Sequence, residues 1–567
     1  MPGQHGNHGP AEISLFGGFD RERVQGVDVL HNGNIVVAGE TTSDFLALPE
    51  FRLTLAPPFD STFNSTAPNS DGYVAILDPG MTHILYWTYL GGGGPDRAYF
   101  AREDDLGNIW VCGFTGSHTG MADPFPMGVD AHCYKPNGCG GVDQNDWDVF
   151  VVKLRFDLSG PLLASTILAG HSPENPRGTL TVDSGFVYVS GGTQSADFFV
   201  SPGMPAARAN TGSDFSGCSG QAPRHDAFVA QLSAADGSMI WCRALGGDGD
   251  DSAWAGVRAD PTTGDIFLGG NTNSTSLALD TLGVDAGATV NRYDSFQPGV
   301  VAGVSDGYVA RLSPSGSVRA VGYLGGSGRD WLAVNDGLEL DAQGRPVVSG
   351  MTRSPDLPTT PDALSRRHSN QSGNAFCAQP PQPLADCDDD STDLFVAKLS
   401  NDLSSAVFIS YVNAAAGHCP TTYFSEEPSG LALRGDAILI SGQTDSPQFP
   451  VTPNGYDTVI SAGVTPPNSP SHDAFLVRIG PDAQGVWQLQ YATFLGGNLP
   501  AINADEPGNR ARCLTIYPFG SRSGMALFSG QTTSSDFGNY TTHGVVLPDW
   551  LTGDERDGFI AFLGTGP

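Results

Sequence analysis

The sequence predicts an all-β fold, a seven-bladed β-propeller with four antiparallel strands per blade, and three observations predict it. Segments running Asp, small or apolar, aromatic, then aliphatics recur seven times: Asp71-Gly72-Tyr73, Asp148-Val149-Phe150, Asp226-Ala227-Phe228, Asp306-Gly307-Tyr308, Asp393-Leu394-Phe395, Asp473-Ala474-Phe475 and Asp557-Gly558-Phe559. An apolar-x-Gly-x-Thr signature precedes each, at Gly39/Thr41, Gly113/Thr115, Gly191/Thr193, Gly270/Thr272, Gly350/Thr352, Gly442/Thr444 and Gly530/Thr532. The seventh unit stops after its Asp-led segment, and Ile13-Ser14-Leu15-Phe16-Gly17-Gly18 near the beginning reads as the strand it lacks.

Each unit opens with a strand A such as Leu338-Glu339-Leu340, turns at a segment such as Asp341-Ala342-Gln343-Gly344, and continues into the Gly-x-Thr strand B. A long loop leads to the Asp-led strand C. A short turn such as Ser313-Pro314-Ser315-Gly316 then gives strand D, for example Tyr86-Trp87-Thr88-Tyr89-Leu90, closed by Gly-Gly. The 567 residues divide into seven units of 567/7 = 81, against ~40–50 for an ordinary blade, so each blade carries an insertion. The expected organisation is a flexible arm over 1–11 and one propeller over 12–567. Its blades fall near 24–92, 98–170, 178–247, 253–326, 331–413, 429–497 and 510–567 plus 12–18, the last sheet being completed by the N-terminal strand.

Composition sets outer limits. Lys+Arg 28 against Asp+Glu 61 gives a net charge of −33, which repels phosphate backbones and excludes nucleic acid as a partner. Gly 74 and Pro 41 make about a fifth of the chain, suited to short strands and tight turns. No apolar run approaches the ~20 residues of a membrane span, and Met1-Pro2-Gly3-Gln4-His5-Gly6 lacks the apolar core of an export signal. Lysine is confined to Lys135, Lys153 and Lys398, so arginine carries the positive charge. Of nine cysteines, Cys133 with Cys139 and Cys377 with Cys387 bracket loops that local disulfides would staple. No spacing fits haem attachment or zinc, and no phosphate-binding loop for a nucleotide is present.

Tyr89-Leu90-Gly91-Gly92-Gly93-Gly94-Pro95-Asp96 and Tyr323-Leu324-Gly325-Gly326-Ser327-Gly328-Arg329-Asp330 carry one half of a further pattern. Thr352-Arg353-Ser354-Pro355-Asp356-Leu357-Pro358 and Thr41-Thr42-Ser43-Asp44-Phe45 carry the other. Together they resemble the SBBP-type repeat of secreted or surface bacterial β-propellers, over nearly the whole chain. Ala414-Ala415-Ala416-Gly417, Leu168-Ala169-Gly170 and Leu499-Pro500 depart from it. The resemblance implies an extracellular or cell-surface propeller and no defined chemistry.

Strand alternation sends B-to-C and D-to-A loops to one face, and the long insertions put any site there. Two acidic loops on that face, with Asp143, Asp146 and Asp148 and with Asp388, Asp389 and Asp390, offer oxygen ligands for calcium. Asp96, Asp251 and Asp330 of the Gly-Gly-x-Gly-x-Asp elements are open to two readings, calcium ligands or turn residues bonding local amides. Their separation by a whole blade favours the turn. Tyr99, Trp254, Trp331 and Tyr423 follow the D-to-A turns, where they either stack on sugar rings or pack between blades. No residue is assigned a catalytic role. His171, His418, His225 and His472 are the histidines an enzyme would use, but no spacing forces them into contact.

The expected function is a binding or scaffold propeller presenting an acidic, calcium-stabilised loop face to a glycan or surface protein. The alternatives are a carbohydrate-active enzyme, lyase or hydrolase, with its site at the channel mouth, and a self-associating subunit of a surface filament or layer.

Overall fold

The seven Asp-led segments are strands in the computed structural model: Asp71–Leu77, Asp148–Leu154, Asp226–Ser233, Asp306–Leu312, Asp393–Leu399, Asp473–Pro481 and Asp557–Leu563. The structure describes residues 11–565 apart from 17–19, 45–57, 66–68, 119–120, 136–146, 208–224, 248, 275–276, 278–283, 294–304, 370–391, 414–424, 447, 461–471, 497–508 and 534–556. Each Asp-led strand pairs antiparallel with the Gly-x-Thr strand before it. The register is the same in every unit, Thr opposite Asp and Gly opposite the aromatic ring, from Thr41↔Asp71 and Gly39↔Tyr73 to Thr532↔Asp557 and Gly530↔Phe559.

Seven sheets result, ordered A-B-C-D from the axis outward, and consecutive sheets pack face to face in a ring. Strands A are Glu22–Val29, Asp96–Glu103, Glu174–Asn175 with Leu180–Asp183, Asp251–Ala259, Asp330–Leu332 with Leu338–Leu340, Glu426–Arg434 and Arg510–Tyr517. The outer strand D of the seventh blade is Ala11–Phe16, paired antiparallel with Asp557–Leu563 from Ala11↔Leu563 to Phe16↔Gly558. The ring is therefore closed by the N-terminal strand, as the sequence predicts. Ile13 is fully buried there, Ser14 Oγ donates to the Met81 carbonyl in blade 1 at 3.0 Å, and Arg522 pairs with Glu12. The strand starts at Ala11, one residue inside the expected arm.

Two features go beyond four strands per blade. In blades 2 and 4 part of the B-to-C insertion returns as a fifth strand, Asp130–Tyr134 and Val284–Tyr293, parallel to strand D. It covers an outer edge whose backbone groups would otherwise face solvent unpaired. Every strand A is also bulged or broken near its middle, as at Val24/Gly26, Ala98/Phe100 and Ser252/Gly256.

The Gly of each Gly-x-Thr sits beside that irregularity. A Cβ at Gly270 would collide with the Ser252 carbonyl and with the Tyr308 hydroxyl, and equivalent collisions with a strand-A carbonyl and a strand-C ring recur at Gly39 with Arg23 and Tyr73 and at Gly113 with Arg97 and Phe150. The two sequence signatures are thus halves of one packing unit, a strand-C ring lying over a strand-B glycine. The core consists of such layers. Tyr73, Phe150, Phe228, Tyr308, Phe395, Phe475 and Phe559 are all fully buried. No helix among the described residues is long and apolar enough to cross a membrane.

Candidate functional site: the loop-side channel mouth

Strands A begin, and strands B end, on the face that carries the long loops. The acid that opens most strands A is consumed there by the fold. Asp96 Oδ2 accepts from the Gly92 amide at 2.8 Å and the Ser117 hydroxyl at 2.7 Å. Asp330 Oδ2 accepts from Gly326 at 2.7 Å and Ser354 at 2.6 Å, and Asp251 Oδ2 from Gly247 and Ser274, both at 2.7 Å. All three carboxyls have no exposed surface. Each therefore ties a Gly-Gly turn to the end of strand B, which is the turn reading. Burial, opposed by these hydrogen bonds, pushes Asp96, Asp251 and Asp330 up to about 7. Glu174 performs the same task in blade 3, accepting from Gly170, Thr193 and Ser195.

Asp148 is buried and its Oδ2 faces the Lys135 ammonium at 3.3 Å. Among the described residues no group of three or more His, Cys, Asp or Glu is placed to hold a metal ion. Asp143, Asp146, Asp388, Asp389, Asp390, Tyr423, Cys139, Cys377 and Cys387 lie outside the described residues. Cys133 sits on the added fifth strand of blade 2, Asp130–Tyr134.

The aromatic candidates separate. Tyr99 is 2% exposed and packs between blades, whereas Trp254 and Trp331 are half-buried. Each lies beneath an arginine: Arg97 over Tyr99 at 5.7 Å, Arg177 over Trp254 at 5.7 Å and Arg329 over Trp331 at 5.2 Å. Burial acts to raise the Tyr99 pKa, yet Arg97 and Arg177 beside the phenol bring it below the ordinary tyrosine value, and Arg97 Nη1 donates to its oxygen at 3.2 Å.

Around Tyr99 an arc of guanidinium groups follows the mouth from blade 7 to blade 3. Glu40, the middle residue of Gly39-Glu40-Thr41, accepts from Arg23 at 3.0 Å and from Arg97, and it lies in the field of Arg512. Burial opposes ionisation of Glu40, but Arg97 and Arg23 hold its pKa below the usual carboxylate value. Arg97 also covers Phe114 at 5.1 Å, and Phe114 stacks on Trp147 at 4.7 Å. Trp147 is 42% exposed. A guanidinium and a solvent-facing indole thereby both contact one buried ring at the edge of the channel.

His225 extends the arc. Its backbone amide and Nδ1 both meet Asp250 Oδ1, at 2.7 and 3.1 Å, its Nε2 lies 2.8 Å from Gln194, and its ring meets Trp254 edge-on at 5.4 Å. His171 pairs with Asp197 on an exposed turn of the same face. His418 lies outside the described residues.

No protein-family profile and no curated protein matches the chain. Solved structures similar to it include a protein of unknown function from Dyadobacter fermentans, with TM-score 0.33 and 10% identity, covering 77% of this chain and 93% of that one. A quinohemoprotein alcohol dehydrogenase from Comamonas testosteroni gives TM-score 0.35 and 9% identity over 98% and 77% of the two chains. A phage phi92 endosialidase gives 0.34 and 8% over 98% and 69%. Likenesses this low carry no argument about function, which rests on the residues above.

Sequence reasoning placed Tyr99 and Trp254 near the site but missed Arg23, Glu40, Arg97, Arg177 and Trp147. A signal existed: the position after the polar residue that opens strand A holds arginine in blades 1, 2 and 7, as Arg23 after Glu22, Arg97 after Asp96 and Arg510 after Asn509.

Proposed function

We propose that this chain is an extracellular binding propeller of the SBBP type that takes an acidic polysaccharide, one bearing uronate carboxylates, at its loop-side channel mouth. The observation that carries the reading is exposed Trp147 stacked on Phe114, which Arg97 also covers, beside Arg23 and Arg177. An indole face stacks on a pyranose ring, and planar guanidinium forks match carboxylates. The three lysines lie in ion pairs elsewhere in the fold, Lys135 with Asp148 at 3.3 Å, Lys153 with Asp104 at 3.0 Å and Lys398 with Asp341 at 2.6 Å, so the cations at the mouth are arginines. In a chain of net charge −33, clustered arginine is where an anion is tolerated.

Calcium held by the loops containing Asp143, Asp146 and Asp388 to Asp390, and staples Cys133–Cys139 and Cys377–Cys387, belong to the same proposal as supports of the loop face. Electrophoresis through gels containing polygalacturonate, with and without calcium, tests it. Retardation of the wild type that is lost in Trp147→Ala supports the reading, and unaltered mobility in polygalacturonate overturns it.

A second reading, a carbohydrate-active enzyme at the same mouth, is favoured by the His225 and Asp250 pair. It requires new reducing ends or unsaturated products from the retained polysaccharide. Tyr99 favours the binder, since at 2% exposure its phenol is not reachable by a substrate.

A further inference from the structure

Glu174–Asn175 and Leu180–Asp183 leave a gap in strand A of blade 3, and Arg177 stands in it. Its guanidinium lies beside the Tyr99 phenol of blade 2 and over the Trp254 indole of blade 4, 5.7 Å from that ring. One arginine thus joins two stations, Arg97 over Tyr99 and Arg177 over Trp254. Blade 5 repeats the arrangement with Arg329 over Trp331 at 5.2 Å. Backbone contacts at the junction of blades 4 and 5 fix both indoles: the Asn335 amide donates to the Trp254 carbonyl at 3.0 Å, and the Leu332 amide beside Trp331 donates to Asn271 Oδ1 at 2.7 Å. Gly192 alone among the middle residues of the seven Gly-x-Thr signatures has no side chain. A Cβ there would come within 3.3 Å of Trp254 Nε1 and 3.4 Å of the His225 ring, so this glycine lets the indole lie against strand B of blade 3.

A guanidinium lying on a ring uses its face for that contact and keeps its N–H edges for a carboxylate. Arg97 spends Nε on Glu40 and Nη1 on Tyr99, which leaves Nη2 without a partner among the described residues. Packed sheets stand about 10 Å apart, further than one sugar ring reaches, so a ligand that meets successive stations carries its charges along a chain. We propose that the loop-side mouth is a track for a run of uronates, followed from Arg97 in blade 2 past Arg177 to a far station at Arg329 and Trp331 in blade 5. The inference rests on the polysaccharide reading and deepens it: the ligand is a polyuronate longer than one station holds.

Calorimetric titration of the whole chain with a galacturonate trimer and a galacturonate dodecamer tests it. A dodecamer settles on a trimer-sized subsite in about ten registers, which alone gives about a tenfold gain in affinity, whereas further stations make each added contact intramolecular. The expected gain of dodecamer over trimer is about thirtyfold or more, and Arg329→Gln is expected to weaken the dodecamer at least about fivefold more than the trimer. If Arg329→Gln does not fold, the length dependence of the wild type decides alone. A gain of about tenfold or less, or an equal effect of folded Arg329→Gln on the two ligands, overturns the track and leaves the polysaccharide reading standing. Absence of binding by both ligands overturns the two together.

Discussion

Gly270 lies directly across the sheet from Tyr308, whose hydroxyl donates to the Ser252 carbonyl at 3.0 Å. The tyrosine hydroxyl lies over the glycine, 2.8 Å from where a Cβ would sit, and satisfies a carbonyl beside the bulge of strand A. Tyr73 repeats the arrangement over Gly39 with Arg23 at 3.1 Å. Gly270→Ala has no space for its methyl without moving strand A or the ring. The expected cost is about 1–3 kcal/mol, read as a lower Tm. Gly287→Ala, on the covering strand with no atom within 4 Å of an added Cβ, controls for the methyl itself but has a positive φ of 89°. Its own loss of about 1 kcal/mol is expected to be the smaller.

The N-terminal strand closes the ring through Ile13, which has no exposed surface. Ile13→Ala is expected to cost about 2–5 kcal/mol, and removal of residues 1–16 to expose the edge of Asp557–Leu563 and promote association. Thermal unfolding and sedimentation check both. A truncated chain that remains monomeric with unchanged Tm would contradict the closure.

The turn carboxyls set an unusual pH dependence. Asp96, Asp251 and Asp330 titrate at about 7 and Asp71 at about 6 in the folded chain, against about 3.9 unfolded. A raised folded pKa means the folded state holds the proton more tightly, so this contribution is complete below the unfolded value and is lost as pH rises through 6 to 7. Carboxyls with lowered values, such as Asp104 and Asp341, lose their contribution only on acidification below about pH 4. Tm is therefore expected to rise as pH is lowered from 8 to 5. Asp251→Asn, which fixes one site in its neutral shape, is expected to flatten that rise. A Tm that falls over the same interval would contradict the assignment.

The fold was legible because its units are local and repeated. The ring over the glycine and the acid under the Gly-Gly turn each fall at fixed spacings, so Tyr308 with Gly270 and Asp330 with Gly326 show as motifs. The channel was not legible in the same way. Arg97, Glu40 and Arg512 come from blades 2, 1 and 7 and meet only when the ring closes, so no spacing records their approach. Trp147 read as part of an acidic loop because its partner Phe114 lies across the long B-to-C insertion. Arg102 and Arg258 occupy equivalent ends of strands A, but their shared partner Asp336 sits in the gap of a broken strand that the repeat pattern treats as continuous. The added strands of blades 2 and 4 arise from insertions particular to those blades and have no counterpart to align with.

The arginine arc is the central functional claim, and calorimetry with a galacturonate hexamer addresses it most directly, with maltohexaose as the uncharged comparison. The wild type is expected to bind the galacturonate and not maltohexaose, with affinity falling as salt rises. Arg97→Gln is expected to weaken binding at least tenfold, and Arg155→Gln, 51% exposed in a C-to-D turn on the opposite face, to leave it unchanged. Equal binding of the two sugars, or equal loss in both variants, would contradict a site at the loop-side mouth.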